Sequence, residues 1–131
     1  LGSRHHQVVR QSIDAISFIQ AEAEPFLEQF MRLMTTDCDA WQRKEVERGW
    51  VAQDQVRLNI MFASVSLIAT ATAPQRLEEL FKTGLDDKGY CAEVAVEGLR
   101  RLGTPSALRA ALAYAAKRTW DTGLLGAQKP Y

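Results

Sequence analysis

The sequence predicts an all-α fold, a compact bundle of about six to seven helices in a single domain spanning residues 1–131. Apolar residues recur at intervals of three and four along most of the chain, as on the buried face of a helix. Proline and glycine mark the ends of these segments, and no segment shows the sustained two-residue alternation of a strand. The 47% of hydrophobic and 24% of charged residues are typical of globular domains.

The first part of the chain carries one long apolar stripe, which predicts a buried helix face. Its members are Val9, Ile13, Ile16, Ala23, Leu27, Phe30 and Met34. The stripe keeps its phase across Pro25, so the segment is either one helix kinked at Pro25 or two helices of which Pro25 opens the second. Residues 1–4 are expected to be disordered or vector-derived.

A short helix is predicted after the N-cap residues Thr36–Asp37, with Trp41 and Val46 inward and an end near Gly49. The next helix is predicted to be the central and most enclosed one, because residues 58–71 are apolar on all sides. Its inward positions are expected to be Val51, Gln55, Leu58, Phe62, Val65 and Ala69.

Three further helices are predicted in the last part of the chain, bounded by proline and glycine. The first spans residues 74–84, the second 90–103, and the third begins at Pro105 with Thr104 as its cap. The predicted inward residues are Leu77, Leu80 and Phe81, then Cys91, Val94, Ala95, Leu99 and Leu102, and finally Leu108, Ala111, Leu112 and Ala115. Residues 121–131 are expected to form an irregular tail.

An internal repeat links the first and third of these helices. Ala73-Pro74 aligns with Thr104-Pro105 at an offset of 31 residues, which also places Leu77 on Leu108, Leu80 on Ala111 and Phe81 on Leu112. The segments LEELFKTGLDD, AEVAVEGLRRLGT and PSALRAALAYAAK together resemble a HEAT repeat followed by the first helix of a second, over about residues 74–118. The resemblance implies antiparallel helix pairs that offer a surface to partners. Since solenoids need about three units, the N-terminal helices are expected to cap the repeat.

The sequence offers little chemistry, so no catalytic residue, metal site or cofactor is predicted. His5 and His6 are the two histidines, and neither has further ligands at metal-site spacing. The acidic pairs lack the Glu-x-x-His partners of di-metal bundles. Cys38 and Cys91 match no compact metal motif and are expected to be small buried hydrophobes, which favours a reduced, cytoplasmic protein, with a single disulfide as the alternative.

The preferred hypothesis is a non-enzymatic protein-interaction module, such as a small bacterial immunity or adaptor protein whose partner is a toxin or a secretion-system component. The 16 basic and 16 acidic residues cancel, which argues against nucleic-acid partners, and the apolar run 58–73 is too short and polar for a membrane span. Partner-binding residues are predicted around the repeat, where both signs of charge could set specificity. They are Asp86, Asp87, Glu93, Glu97, Arg100 and Arg101.

Two alternatives stay open at this level. A bundle that binds a small apolar ligand or acts as an enzyme is suggested by an aromatic and thioether-rich set. Its members are Phe26, Phe30, Met31, Met34, Met61 and Phe62. A helix-turn-helix nucleic-acid binder would span residues 94–117 and turn Arg109, Lys117 and Arg118 toward DNA.

Overall fold

The computed structural model describes residues 1–43, 51–87 and 89–124, and within these ranges the chain is helical without any strand. The predicted all-α bundle is therefore confirmed. The α-helices are α1 (His6–Phe18), α2 (Leu27–Thr35), α3 (Ala52–Leu67), α4 (Pro74–Gly84), α5 (Gly89–Leu102) and α6 (Pro105–Leu124). Short 3-10 segments span Gln20–Phe26, Asp39–Trp41 and Ile68–Thr70. No helix in the described ranges combines the length and apolar character that a membrane crossing requires.

The helices pack in two layers, with α1, α3 and α5 in the first and α2, α4 and α6 in the second. Within the first layer, α1 and α3 run parallel. Asn59 donates to Asp14 at 2.9 Å, and farther along both segments Thr70 donates to Gln20 at 3.1 Å. Later positions of one segment therefore lie beside later positions of the other. Neighbours in the other layer run in the opposite direction, which makes the arrangement an alternating two-layer stack.

Two glycines bring α4 and α5 into close antiparallel contact. Gly84 near the end of α4 lies beside Ala95, and Phe81 lies one turn earlier against Gly98. A Cβ atom added at Gly98 would stand 2.3 Å from the Phe81 ring, so only hydrogen fits at that position. This close approach sets the spacing of the predicted helix pair.

Polar side-chain contacts join α4 to the beginning of α6 within the second layer. Thr104 donates its hydroxyl hydrogen to Glu78 and accepts the amide hydrogen of Ala107 at 3.1 Å, which confirms Thr104 as the cap of α6. Lys82 pairs with Glu78 at 2.9 Å and donates to Ser106 at 2.7 Å. Glu78 therefore contacts Thr104, and Lys82, one turn later in α4, contacts Ser106, which is later in the α6 segment. This order of contacts shows that α4 and α6 run parallel.

The N-terminal stripe is buried at all seven predicted positions, but the helix breaks elsewhere than expected. α1 ends at Phe18, and Gln20 takes a left-handed φ of 54°, a conformation that interrupts a right-handed helix. Pro25 lies inside the following 3-10 segment, before α2 begins. Both predictions at Pro25 were therefore wrong, since the break lies five residues earlier.

Trp41 is buried as predicted and anchors the beginning of the chain. Its indole N–H donates to the carbonyl of Arg4 at 2.7 Å, and Leu1 packs against the core. The predicted Val46 and Gly49 lie outside the described residues. At the other end, residues 121–124 are the last turn of α6 and not part of an irregular tail.

Gln53 is a polar side chain enclosed in the core, with 2% of its surface exposed. Its Oε1 accepts the amide hydrogen of Cys38 at 2.8 Å and a side-chain hydrogen of Gln42 at 3.3 Å. The carboxamide therefore ties the segment around Asp39–Trp41 to the beginning of α3.

The prediction that α3 is the central helix is confirmed, because it packs against α1, α2, α4 and α5. The predicted inward face of α3 was wrong. Its buried positions are Ala52, Gln53, Val56, Ile60, Met61, Ala63, Ser64 and Leu67. Phe62, expected inside, is 55% exposed.

The inward face of α4 agrees with prediction, and that of α5 agrees except at Val94 and Leu102, which are only partly buried, whereas that of α6 does not agree. Leu77, Leu80 and Phe81 of α4 are buried, as are Cys91, Ala95 and Leu99 of α5. In α6, Ala107 and Ala111 are buried, while Leu108 is 40% and Leu112 is 70% exposed. Small alanine side chains therefore face α5, and the leucines lie on the outside.

Candidate interaction site

The six predicted partner-binding residues lie along α5 and the turn before it, but they do not form one cluster. Asp86 and Asp87 precede the helix, and Glu97, Arg100 and Arg101 lie in its second half. At 1.5 Å per residue, the two groups are about 20 Å apart along the axis. The exposed Glu93 lies between them.

The C-terminal group is an ion-pair network centred on one carboxylate. Glu97 accepts from Arg100 at 2.6 Å and from Arg101 at 3.0 Å, and the two arginine side chains are 65% and 59% exposed. The arginines also lie in the last turn of α5, where the helix dipole favours cations. Exposed ion pairs contribute about 0–1 kcal/mol each to the free energy of folding. The arginines could therefore leave Glu97 and pair with a carboxylate of another molecule at little cost in stability.

The N-terminal group divides into an exposed and a half-buried carboxylate. Asp86 is exposed, whereas Asp87 accepts a hydrogen bond from the thiol of Cys91 in the first turn of α5. Burial, followed by the nearby charge of Asp87, raises the pKa of the Cys91 thiol far above its ordinary value. Cys38 and Cys91 are both free thiols, and Cys91 is buried as predicted.

A groove of about 580 Å³ opens between the end of α4 and the second half of α6, and we call it the α4–α6 groove. Asp86 and Asp87 line one wall, and Lys117 and Arg118 line the other. The Arg118 guanidinium lies 6.0 Å from the centre of the Tyr114 ring. The sequence analysis missed this groove because its walls are about thirty residues apart in the chain and meet only through the packing of α6.

The opposite side of α6 carries an exposed apolar strip, which we call the α6 flank. At 100° per residue, Leu108 and Leu112 lie on the side away from the groove residues Ala113 and Lys117. The flank consists of Leu108, Leu112, Ala115 and Ala116, with Arg109 at its edge, and all five are exposed. It is the surface on which a further helix of the stack would pack.

The aromatic and thioether-rich set behind the ligand-binding alternative is divided by the fold. Phe30, Met34 and Met61 are core residues, and Phe62 is exposed. Met31 lines an open groove of about 400 Å³ between α2 and α4, whose other lining residues are Leu27, Glu28, Arg76, Glu79 and Leu80. The set therefore does not line one common chamber.

The cations proposed for DNA contact are also spread around α6. Arg109 lies beside the α6 flank, whereas Lys117 and Arg118 line the α4–α6 groove. By helical geometry Arg109 and Arg118 point to opposite sides of the helix. Nucleic-acid binding by α6 stays a prediction without a common basic face to support it.

Across the described part of the chain, no three His, Cys, Asp or Glu side chains are grouped as metal ligands would be. The chain matches no protein-family model, no curated protein and no solved structure.

Proposed function

We propose that this chain is a non-enzymatic protein-interaction module, a short HEAT-like stack that binds a partner protein through the open face of its last helix. The observation that carries the proposal is the exposure of Leu108 and Leu112, at 40% and 70%, on a helix whose other side packs on α5. A bacterial immunity or adaptor protein is the form of this function that the HEAT-like resemblance favours. A toxin or a secretion-system component would then be the partner.

The α6 flank has the composition of a contact surface. Isolated exposed leucines are common, but here two leucines one turn apart are continuous with Ala115 and Ala116. Taking a leucine from full exposure to full burial contributes about 1.5–3 kcal/mol, and covering the 40% of Leu108 and the 70% of Leu112 that are exposed would contribute in proportion. The alanines permit a partner backbone to approach closely.

The alternating layers support the HEAT-like part of the proposal. Each of α1, α3 and α5 is followed by a helix of opposite direction in the second layer, as in stacked antiparallel pairs. The repeat seen in the sequence pairs α4 with α5, and α6 is then the first helix of a further pair whose second helix would cover the α6 flank.

The test is site-specific photo-crosslinking in the cells that produce the protein. A photoreactive amino acid replaces Leu112 in one variant and Phe62, which is 55% exposed on α3, in a matched control. We expect a protein adduct at position 112 that is absent at position 62 and is lost when Leu108→Asp is added. The adduct partner, once purified, should bind the wild-type chain and not Leu108→Asp.

Equal labelling at positions 112 and 62, or an adduct that survives Leu108→Asp, would contradict the proposal. Urea unfolding of Leu108→Asp serves as the folding control, because an exposed residue can accept a charge with little loss of stability.

The predicted residues on α5 are tested with the same partner. Arg101→Glu breaks one pair of the Glu97 network without opening the core, since its side chain is 59% exposed. If the network belongs to the interface, binding weakens and its salt dependence changes; if binding is unaltered, the interface is confined to α6.

A further inference from the structure

We infer that the element covering the α6 flank is an acidic amphipathic helix of the partner protein, lying antiparallel to α6. This inference rests on the proposed function, in which the flank is a protein-binding surface, and it adds the chemistry of the occupant. It is argued from the internal repeat, from the charge of α6 and from the contact at Thr104.

The repeat indicates that the occupant is a helix with a small residue at its centre. Phe81 of α4 corresponds to Leu112 of α6 at the 31-residue offset. Phe81 is covered by the antiparallel helix α5, where its ring rests against Gly98. The equivalent cover for Leu112 is an antiparallel helix that presents glycine or alanine at the matching position.

The charge of α6 indicates that this helix is acidic. Arg109 is the charged residue at the flank, and residues 105–118 contain no aspartate or glutamate to balance it, whereas α4 and α5 each carry both signs. Lys117 and Arg118 lie on the groove side of α6 and do not face the occupant. Arg109 is exposed at the edge of the flank. Carboxylates on the occupant would meet this cation next to the apolar anchors, which is the usual way in which charge sets partner choice.

A break in the pattern of the second layer points the same way. Glu78 of α4 accepts a hydrogen bond from Thr104 and so holds the beginning of α6. The residue at the Glu78 position of α6, 31 residues on, is Arg109. An arginine cannot accept a hydrogen bond, so the group that faces Arg109 at the edge of the flank must be an acceptor, as a carboxylate is.

The same charges disfavour a second copy of this chain. Two α6 helices packed flank to flank would place two Arg109 side chains at one interface, with no carboxylate of either flank to meet them. Like charges across an interface oppose association, so an acidic partner is the better complement.

The experiment selects helices directly on the full chain. A displayed library of amphipathic 18-residue helices carries leucine and alanine on one face and an even choice of Glu or Lys at every other position. It is panned against the wild-type chain, against Leu112→Asp, and against Phe62→Asp as the matched exposed control on α3. Sedimentation of the free chain over a concentration series is measured in parallel.

We expect the wild type and Phe62→Asp to enrich helices with Glu over Lys, and Leu112→Asp to enrich none. A representative acidic helix should lose about tenfold in affinity on Arg109→Glu, the value of one well-placed charge contact. The Lys-rich counterpart of that helix should gain affinity for the same variant.

Three results would overturn the inference. Enrichment of Lys-rich or charge-indifferent helices that still depend on Leu112 would refute the acidic occupant while leaving the flank a binding surface. A dimer that forms with concentration and disappears in Leu112→Asp would assign the flank to a second copy. Absence of any helix that depends on Leu112 would count against both the inference and the proposed function.

Discussion

Replacing Gly98 by alanine tests the closest contact in the fold. The added Cβ would lie 2.3, 2.4 and 2.6 Å from three atoms of the Phe81 ring, where ordinary carbon contacts need about 3.5–4.0 Å. Phe81 is fully buried, so the ring can move away only by displacing other core residues. Overpacking of this kind costs about 1–3 kcal/mol, and alanine recovers about 1 kcal/mol of helix propensity. We therefore expect Gly98→Ala to lower the free energy of unfolding by up to about 2 kcal/mol.

Urea unfolding followed by far-ultraviolet circular dichroism measures this change. Gly84→Ala is the matched control, because its new Cβ meets mainly the flexible thioether of Met61, and it should cost less. Phe81→Leu should be less damaging in the Gly98→Ala background than in the wild type, since the smaller side chain makes room. A Gly98→Ala variant as stable as the wild type, with no coupling to position 81, would refute the close packing of α4 on α5.

Further predictions concern titration, a buried amide and the thiols. Hydrogen bonding, chiefly from Thr104, lowers the pKa of Glu78 from 4.5 to about 2, so its stabilisation is complete above pH 4.5 and is lost as the pH falls toward 2. Urea unfolding between pH 5 and pH 2 should show a smaller loss of stability in Glu78→Gln, and an unchanged slope would contradict this. Gln53→Leu strands the amide hydrogen of Cys38 and should cost about 1–3 kcal/mol in the same assay; no loss would argue against that bond. A thiol reagent should label the half-buried Cys38 in the native protein and Cys91 only after unfolding, and equal native rates would show that Cys91 is accessible.

The core residues of α1 and α2 could be predicted because apolar residues recur there every three or four positions and the residues between them are mostly polar. Every inward position from Val9 to Met34 was correct, although Gln20 interrupts the helix. The 3-10 segment after Gln20 turns the chain so that Ala23 and Leu27 still reach the core. A left-handed glutamine has no local pattern by which sequence reasoning could have found it.

The sequence did not show which face of α3 is buried, because α3 carries apolar residues on all of its faces. With four neighbouring helices, several faces are partly covered, and side-chain size no longer tells which face is deepest. The polar residues Gln53 and Ser64 are buried, whereas the polar Gln55, which was predicted to face inward, is only partly buried.

The face of α6 was predicted from leucines, but alanines decide it. Ala107 and Ala111 allow α6 to lie close to α5, which leaves Leu108 and Leu112 outside. The sequence interpretation therefore did not foresee the α6 flank. The predicted residues Arg100 and Arg101 of α5 are exposed and Glu97 is partly exposed, and their role in binding stays a prediction. The α4–α6 groove depends on tertiary packing alone.

The alternating layers also determine which helices unfold locally before the others. Each helix touches mainly those one or two places away in the chain, so cooperativity weakens with distance along the stack. Amide hydrogens of α3, held on four sides, should exchange with solvent most slowly, and those of α6 should exchange first. Fraying from the last helix would then expose Ala107 and Ala111 while the remaining pairs stay folded.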